Sequence, residues 1–186
     1  MPHIHTEPGH HDATASAFIV RLDGREPALM LHMHRKLHKW LQFGGHVELY
    51  ETPWQAVIHE IAEESGYNID QLQILQPPHR LASVTGVAVH PYPVVVHTHQ
   101  FNSTDHYHTE MPYAFIAHEG PADSPATGES TEIQAFTREQ LAAIPEELIP
   151  RNVRDIGTYV LDTCLAQWEP VDTATFTVTT PRKSEA

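Results

Sequence analysis

Three glutamates stand close together in the first half of the chain. Glu60, Glu63 and Glu64 are spaced i, i+3 and i+4, which on a helix places them on one face. Like charges at those spacings destabilise a helix by roughly 0.2–0.5 kcal/mol per pair. Such a triplet is either a solvated surface or a set of ligands for a cation. The opposite face carries Val57, Ile58 and Ile61, so a docked helix would hold the carboxylates in place. A fixed cluster of hard oxygen ligands suits Mg²⁺ or Mn²⁺, and Mg²⁺ keeps waters and also binds substrate phosphates.

The elements that must position these carboxylates are legible on either side. Thr52-Pro53-Trp54-Gln55 predicts a helix start, with Thr52 as N-cap, Pro53 at the first helical position and Gln55 completing a capping box. Trp54, Val57, Ile58 and Ile61 form the apolar stripe, and Ser65-Gly66 ends the helix. Upstream, Phe18–Leu22, Ala28–Met33 and Trp40–Phe43 predict short strands, the last stopped by Gly44-Gly45. Downstream, Leu72–Leu75, Leu81–Val89, Val94–Phe101, Met111–Ala117 and Glu132–Phe136 read as further strands. A capping box at Thr137-Arg138-Glu139-Gln140 starts a short second helix, and Val153, Ile156, Val160, Leu161, Cys164 and Leu165 stripe a third. The stretch 120–129 is a loop. Residues 1–16 are polar and read as irregular. Strands and helices intermix, which predicts one mixed sheet with helices packed on both faces, an α+β architecture. The expected organisation is a flexible lead-in over 1–13, one domain over 14–168, and a Thr-rich tail over 169–186 that is an edge strand (Phe176, Val178) or disordered.

Residues 45–67 resemble the signature of the Nudix hydrolase family, GX5EX7REUXEEXGU, where U is a bulky aliphatic residue. Gly45, Glu51, Glu60, Glu63, Glu64 and Gly66 match the fixed letters, and Ile61 fills the first U. Two positions depart: the family's Arg is His59, and the final U is Tyr67. In the family that Arg pairs with the motif's first Glu, here Glu51, and braces the loop against the helix. An imidazole is smaller and half-charged near neutrality, whereas guanidinium is permanently charged and bidentate. The resemblance implies an α/β/α sandwich and Mg²⁺- or Mn²⁺-dependent attack of water on the diphosphate linkage of a small nucleoside-diphosphate derivative or related organic diphosphate. Glu60 and Glu64 would be the principal metal ligands, with Glu63 a further ligand or the group orienting the attacking water. The Gly45 carbonyl would complete the set, and Glu51, His59 and Gly66 would be structural. One more carboxylate outside the signature is expected. Glu110 in His106-Tyr107-His108-Thr109-Glu110 is the candidate, with Glu119, Glu129 and Glu132 as rivals. A homodimer is common in families of this kind.

Composition bounds the partners. With 11 Lys+Arg against 24 Asp+Glu the formal charge is −13, which repels long nucleic acids and anionic membranes. It does not repel small phosphorylated ligands bridged by a cation. Arg35 and Lys39, within the basic stretch His32–Lys39, are candidate phosphate contacts. No apolar run approaches a membrane span. No secretory signal is visible, and one cysteine excludes an internal disulfide, so a reducing cytoplasm is the expected compartment. The 16 histidines include His97/His99 and His106/His108, which alternate at strand spacing. They are strand histidines near a phosphate pocket or ligands of a zinc site. His3, His5, His10 and His11 read as a flexible tail. Three rival functions follow. One is a weak or inactive Nudix-fold nucleotide-binding or sensor module, suggested by His59. Another is a His-rich metal-handling protein. The last is an isoprenoid diphosphate isomerase, which would need a catalytic Cys where Cys164 instead falls on an apolar stripe.

Overall fold

A computed structural model describes residues 7–100 and 105–176. Two long strands form its spine. β1 (His10–Arg21) and β7 (His106–Ala117) run parallel in unbroken register from His10 opposite His106 to Arg21 opposite Ala117. Around them lie β2 (Ala28–His34), β3 (Lys39–Leu41), β4 (Phe43–His46), β5 (Leu72–Gln76), β6 (His97–Gln100), β8 (Ile133–Thr137) and β9 (Glu169–Asp172). The main path is β3-β2-β1-β7-β5-β9, with β4 on β1, β6 on β7 and β8 on β2. Both spine strands change partner midway. The early part of β1 pairs with β4 and its end with β2, while β7 pairs first with β6 and then with β5.

Period-two alternation divides the apolar residues between two layers. Ala15, Ala17, Ile19, Tyr113, Phe115 and Ala117 face α1 (Pro53–Glu60) and the turn after it through Trp54, Val57 and Ile61. Phe18, Val20, Ala114 and Ile116 face α2 (Arg138–Ala143), α3 (Arg151–Tyr159) and the π-turn Val160–Cys164 that follows it, through Leu141, Val153, Val160 and Cys164. The result is the expected α/β/α sandwich on a mixed sheet. Among the described residues no helix is long and apolar enough to cross a membrane.

Several elements differ from the sequence reading. β1 begins at His10, inside the stretch read as irregular, because Asp12, Thr14 and Ser16 are polar yet buried on a polar part of the sheet. His10 and His11 therefore belong to a strand, while His3 and His5 lie outside the described residues. Trp40–Phe43 divides between β3 and β4, and Gly44-Gly45 lie within β4 instead of ending it. Leu81–Val89 forms no strand beyond a single Val84–Val87 bridge; Leu81, Val84 and Val87 are exposed and have no sheet to join. The strand read over Val94–Phe101 is confined to His97–Gln100, with Phe101 outside the described residues. The start of the tail forms edge strand β9 on β5. Phe176 then returns to the core, its ring 5.8 Å from Trp54, and Val178 lies outside the described residues.

Candidate active site

The acidic helix is set by local chemistry. The Thr52 hydroxyl accepts from the Gln55 N–H at 3.3 Å, and the Gln55 side chain accepts from the Thr52 N–H at 2.9 Å. The next turn, Ile61–Ser65, is a π-turn closed by Gly66 in the left-handed conformation (φ 74°). A Cβ on Gly66 would lie 2.1 Å from the Asp123 carbonyl oxygen. The π-turn alters the expected geometry. Its i→i+5 bonding widens the turn, and of the three glutamates Glu60 and Glu64 are buried while Glu63 is exposed.

Glu60, Glu63 and Glu64 line a cleft of about 510 Å³ together with His32, His34, Arg35, Lys36, Gly44, Gly45, His46, Gly128, Glu129 and Ser130. The Gly44 N–H donates to Glu64 Oε2 at 2.8 Å. Only glycine fits there: a Cβ would lie 2.5 Å from the Ala15 carbonyl and 2.6 Å from Ser16 (Gly44 φ 152°). The cleft thus brings carboxylates together with imidazoles, a guanidinium and an ammonium.

Burial dominates the electrostatics. It pushes Glu64 up to about 9, reinforced by the charge on Glu60 and opposed by the Gly44 N–H. It raises Glu60 to about 7, against the pull of His59. Burial lowers His32 to about 4, so this imidazole, 4.0 Å from Glu64 Oε2, is neutral near pH 7. Glu60 Oε1 is buried without a hydrogen-bond partner. Two buried carboxylates, one with an unsatisfied oxygen and both lining a cleft, fit a hard divalent cation.

His59 occupies the position where the signature has Arg. Its Nδ1 lies 3.5 Å from Glu51 Oε1 and its Nε2 lies 2.9 Å from Glu63 Oε1. Partial burial works to lower its pKa, but the bond to Glu63 and the charges of Glu63, Glu51 and Glu60 outweigh it and raise the value. The imidazole spans loop and helix, as the family's Arg is expected to.

Other candidates fall in different places. Arg35 lines the cleft and donates to the Gly128 carbonyl. Lys39 is on β3 and is not among the lining residues; Lys36 is. Glu110 is not brought to the cleft either. It is buried in a polar network, accepting from Ser16 Oγ at 2.6 Å and Gln42 Nε2 at 2.8 Å, with His97 Nε2 3.3 Å away. Of its rivals, Glu129 lines the cleft. Residues missed by the sequence reading are Asp12 and Ser16, whose partners lie on other strands: His46 and His106 for Asp12, and Glu110 for Ser16. Cys164 is buried in the α3 layer, its thiol pushed up to about 12 by burial, and so offers no nucleophile to the cleft.

A family model described as the NUDIX domain matches residues 10–155. The chain belongs to the Nudix family. No curated protein matches it significantly. A NUDIX-family hydrolase from Clostridium perfringens is 28% identical, with TM-score 0.67 over 81% of this chain and 96% of that one. The chain is a Nudix-type pyrophosphohydrolase. More distant structures share the fold. A C. elegans Ap4A hydrolase binary complex aligns at 18% identity and TM-score 0.57, over 78% of this chain and 92% of the other. The NUDIX domain of Shewanella oneidensis NrtR complexed with ADP ribose aligns at 10% identity and TM-score 0.54, over 73% and 79%.

Proposed function

We propose that the chain hydrolyses the diphosphate linkage of a small nucleoside-diphosphate derivative or related organic diphosphate, with Mg²⁺ or Mn²⁺ held by Glu60 and Glu64 and by the carbonyl of Gly45. The observation that carries this reading is the cleft that is lined both by the buried glutamate pair and by Arg35 and Lys36. The cation, when bound, neutralises the carboxylates and polarises phosphoryl oxygens. Arg35 and Lys36 orient the phosphates as charged donors. Glu63, exposed to the cleft and held by His59 at 2.9 Å, is placed to accept a proton from the attacking water. The water oxygen bonds to one phosphorus, the bridging P–O bond breaks, and the bridging oxygen leaves on the other half. Both products are phosphate esters or phosphates. Glu129 is the downstream carboxylate we assign to the cleft, in preference to Glu110. Names attached to the fold point the same way: an Ap4A hydrolase, a UDP-X diphosphatase and a domain complexed with ADP ribose.

An inactive sensor module was suggested by the loss of Arg at position 59. The contacts of His59 with Glu51 and Glu63 favour the catalytic reading instead. The test is a panel of organic diphosphates incubated with Mg²⁺ or Mn²⁺, with and without EDTA, followed by phosphate detection. Chelator-sensitive cleavage of at least one member is expected. Nucleotide binding without product under either metal would establish the sensor instead.

A further inference from the structure

A second group of residues whose side chains could ligate a metal lies beside the cleft, where β4, β1 and β7 adjoin. By alternation Asp12, Thr14 and Ser16 share a face with Phe18 and Val20, and His106, His108 and Glu110 share it with Ala114 and Ile116. This is the face opposite α1. β1 and β7 set Asp12 directly opposite His108, and β4 sets His46 opposite Thr14. Three strands thereby aim one carboxylate and two imidazoles at one point. Asp12 is 1% exposed, and His46 and His108 are 8% exposed each. One ligand atom from each of the three lies within 4.8 Å of the others.

We propose that Asp12, His46 and His108 form a site for a divalent transition cation of the zinc class, separate from the cation of Glu60 and Glu64. The donor sets differ in kind. Glu60 and Glu64 offer only oxygen, which suits Mg²⁺. Two imidazole nitrogens with one carboxylate oxygen suit Zn²⁺ and its neighbours, and three protein ligands leave a fourth position for water or a substrate oxygen. The separations also fit. His46 Nε2 and His106 Nε2 approach the same oxygen, Asp12 Oδ2, at 3.4 and 3.3 Å. Those distances exceed the 2.7–2.9 Å of charge-assisted hydrogen bonds. The His46–Asp12 separation matches the roughly 3.4 Å between neighbouring ligand atoms of a tetrahedral site with bonds of about 2.0–2.2 Å. His106 then orients the carboxylate from outside the ligand set, as partners of metal-bound groups commonly do. His99, its ring 5.5 Å from that of His108, flanks the site. His46 also lines the cleft, so the site abuts the chamber where substrate would sit.

The test uses the full chain, stripped of metal and titrated calorimetrically with Zn²⁺ in excess Mg²⁺. One tight Zn²⁺ equivalent is expected. It should persist in the Glu60→Gln/Glu64→Gln double variant and in a variant with His3, His5, His10 and His11 changed to Ala. It should weaken on the order of 100-fold or more in His46→Gln and His108→Gln, since even partners outside the ligand set cost 10–100-fold. Zn²⁺ should also raise the melting temperature of the wild-type chain in the same Mg²⁺ background, a reading that needs no variant to fold. Co²⁺ should give visible absorption bands that vanish in His108→Gln. The proposal is overturned if Zn²⁺ leaves the wild-type melt unchanged, or if folded His108→Gln binds as tightly as wild type. It is equally overturned if the tight equivalent disappears with the glutamate pair or with the four N-terminal histidines.

Discussion

Replacing Glu64 by Gln should move stability and activity in opposite directions. Gln keeps the shape of the side chain and an oxygen that can accept the Gly44 N–H, now 2.8 Å from Oε2. It removes the proton uptake that folding demands, because burial and Glu60 push the carboxyl up to about 9 from an ordinary 4.5, so that at pH 7 it is ionised unfolded and protonated folded. A carboxylate whose pKa rises on folding destabilises the folded state as pH climbs above the unfolded value, and the loss grows until the folded value is reached. At about 1.4 kcal/mol per pH unit, the span from 4.5 to pH 7 costs roughly 3–4 kcal/mol in chelator. For a chain of this size that corresponds to a melting shift on the order of 10 °C. Calorimetric melts in EDTA should show Glu64→Gln above wild type at pH 7, with the gain shrinking towards pH 4.5. Turnover of a diphosphate with Mg²⁺ should fall on the order of 10²-fold or more. A variant that melts at or below wild type at pH 7, or one that keeps turnover within about tenfold, would refute the reasoning.

Three further outcomes follow from the same geometry. His59→Ala removes the bridge between Glu51 and Glu63 and should slow turnover about 10–100-fold, whereas His59→Arg should keep it within a few-fold in the same assay. Trp54→Ala empties a fully buried site against Tyr113, Phe115 and Phe176 and should cost about 3–5 kcal/mol in denaturant unfolding. For the Glu110–His97 pair, burial works to raise the Glu110 carboxyl, but its bonds to His97 and Ser16 prevail and hold it low, while that same bond raises His97. The pair therefore stabilises above the ordinary Glu value of 4.5, and its contribution fades as pH climbs past 6.5 through the raised His97 value. The melting gap between wild type and Glu110→Gln in chelator should be widest inside that window, and a gap that does not vary with pH would contradict it.

What was readable from the sequence was what local physics decides. Thr52 and Gln55 cap a helix through bonds three residues apart, and Trp54, Val57 and Ile61 mark its buried side by spacing alone. The double glycine and the glutamates reveal themselves in the same window. The π-turn at Ile61–Ser65 was not legible, because the spacing of Glu60, Glu63 and Glu64 is the same whichever way the turn is wound. Asp12, Thr14 and Ser16 look like loop residues because their reason to be buried lies across the sheet, in β4 and β7. Which downstream carboxylate reaches the cleft was equally non-local. Glu110 sits on a strand face turned into a histidine network, while Glu129 arrives on a loop whose path no pattern in the chain specifies. Leu81–Val89 misled for the converse reason: its apolar run has strand composition but no sheet edge to join.

The most direct measurement is an anomalous difference map from crystals soaked in Mn²⁺ with a non-hydrolysable diphosphate. The account predicts a manganese peak bonded to carboxylate oxygens of both Glu60 and Glu64, with the diphosphate spanning from it towards Arg35. Ordered Glu60 and Glu64 side chains with no peak between them, and the diphosphate bound elsewhere, would contradict it.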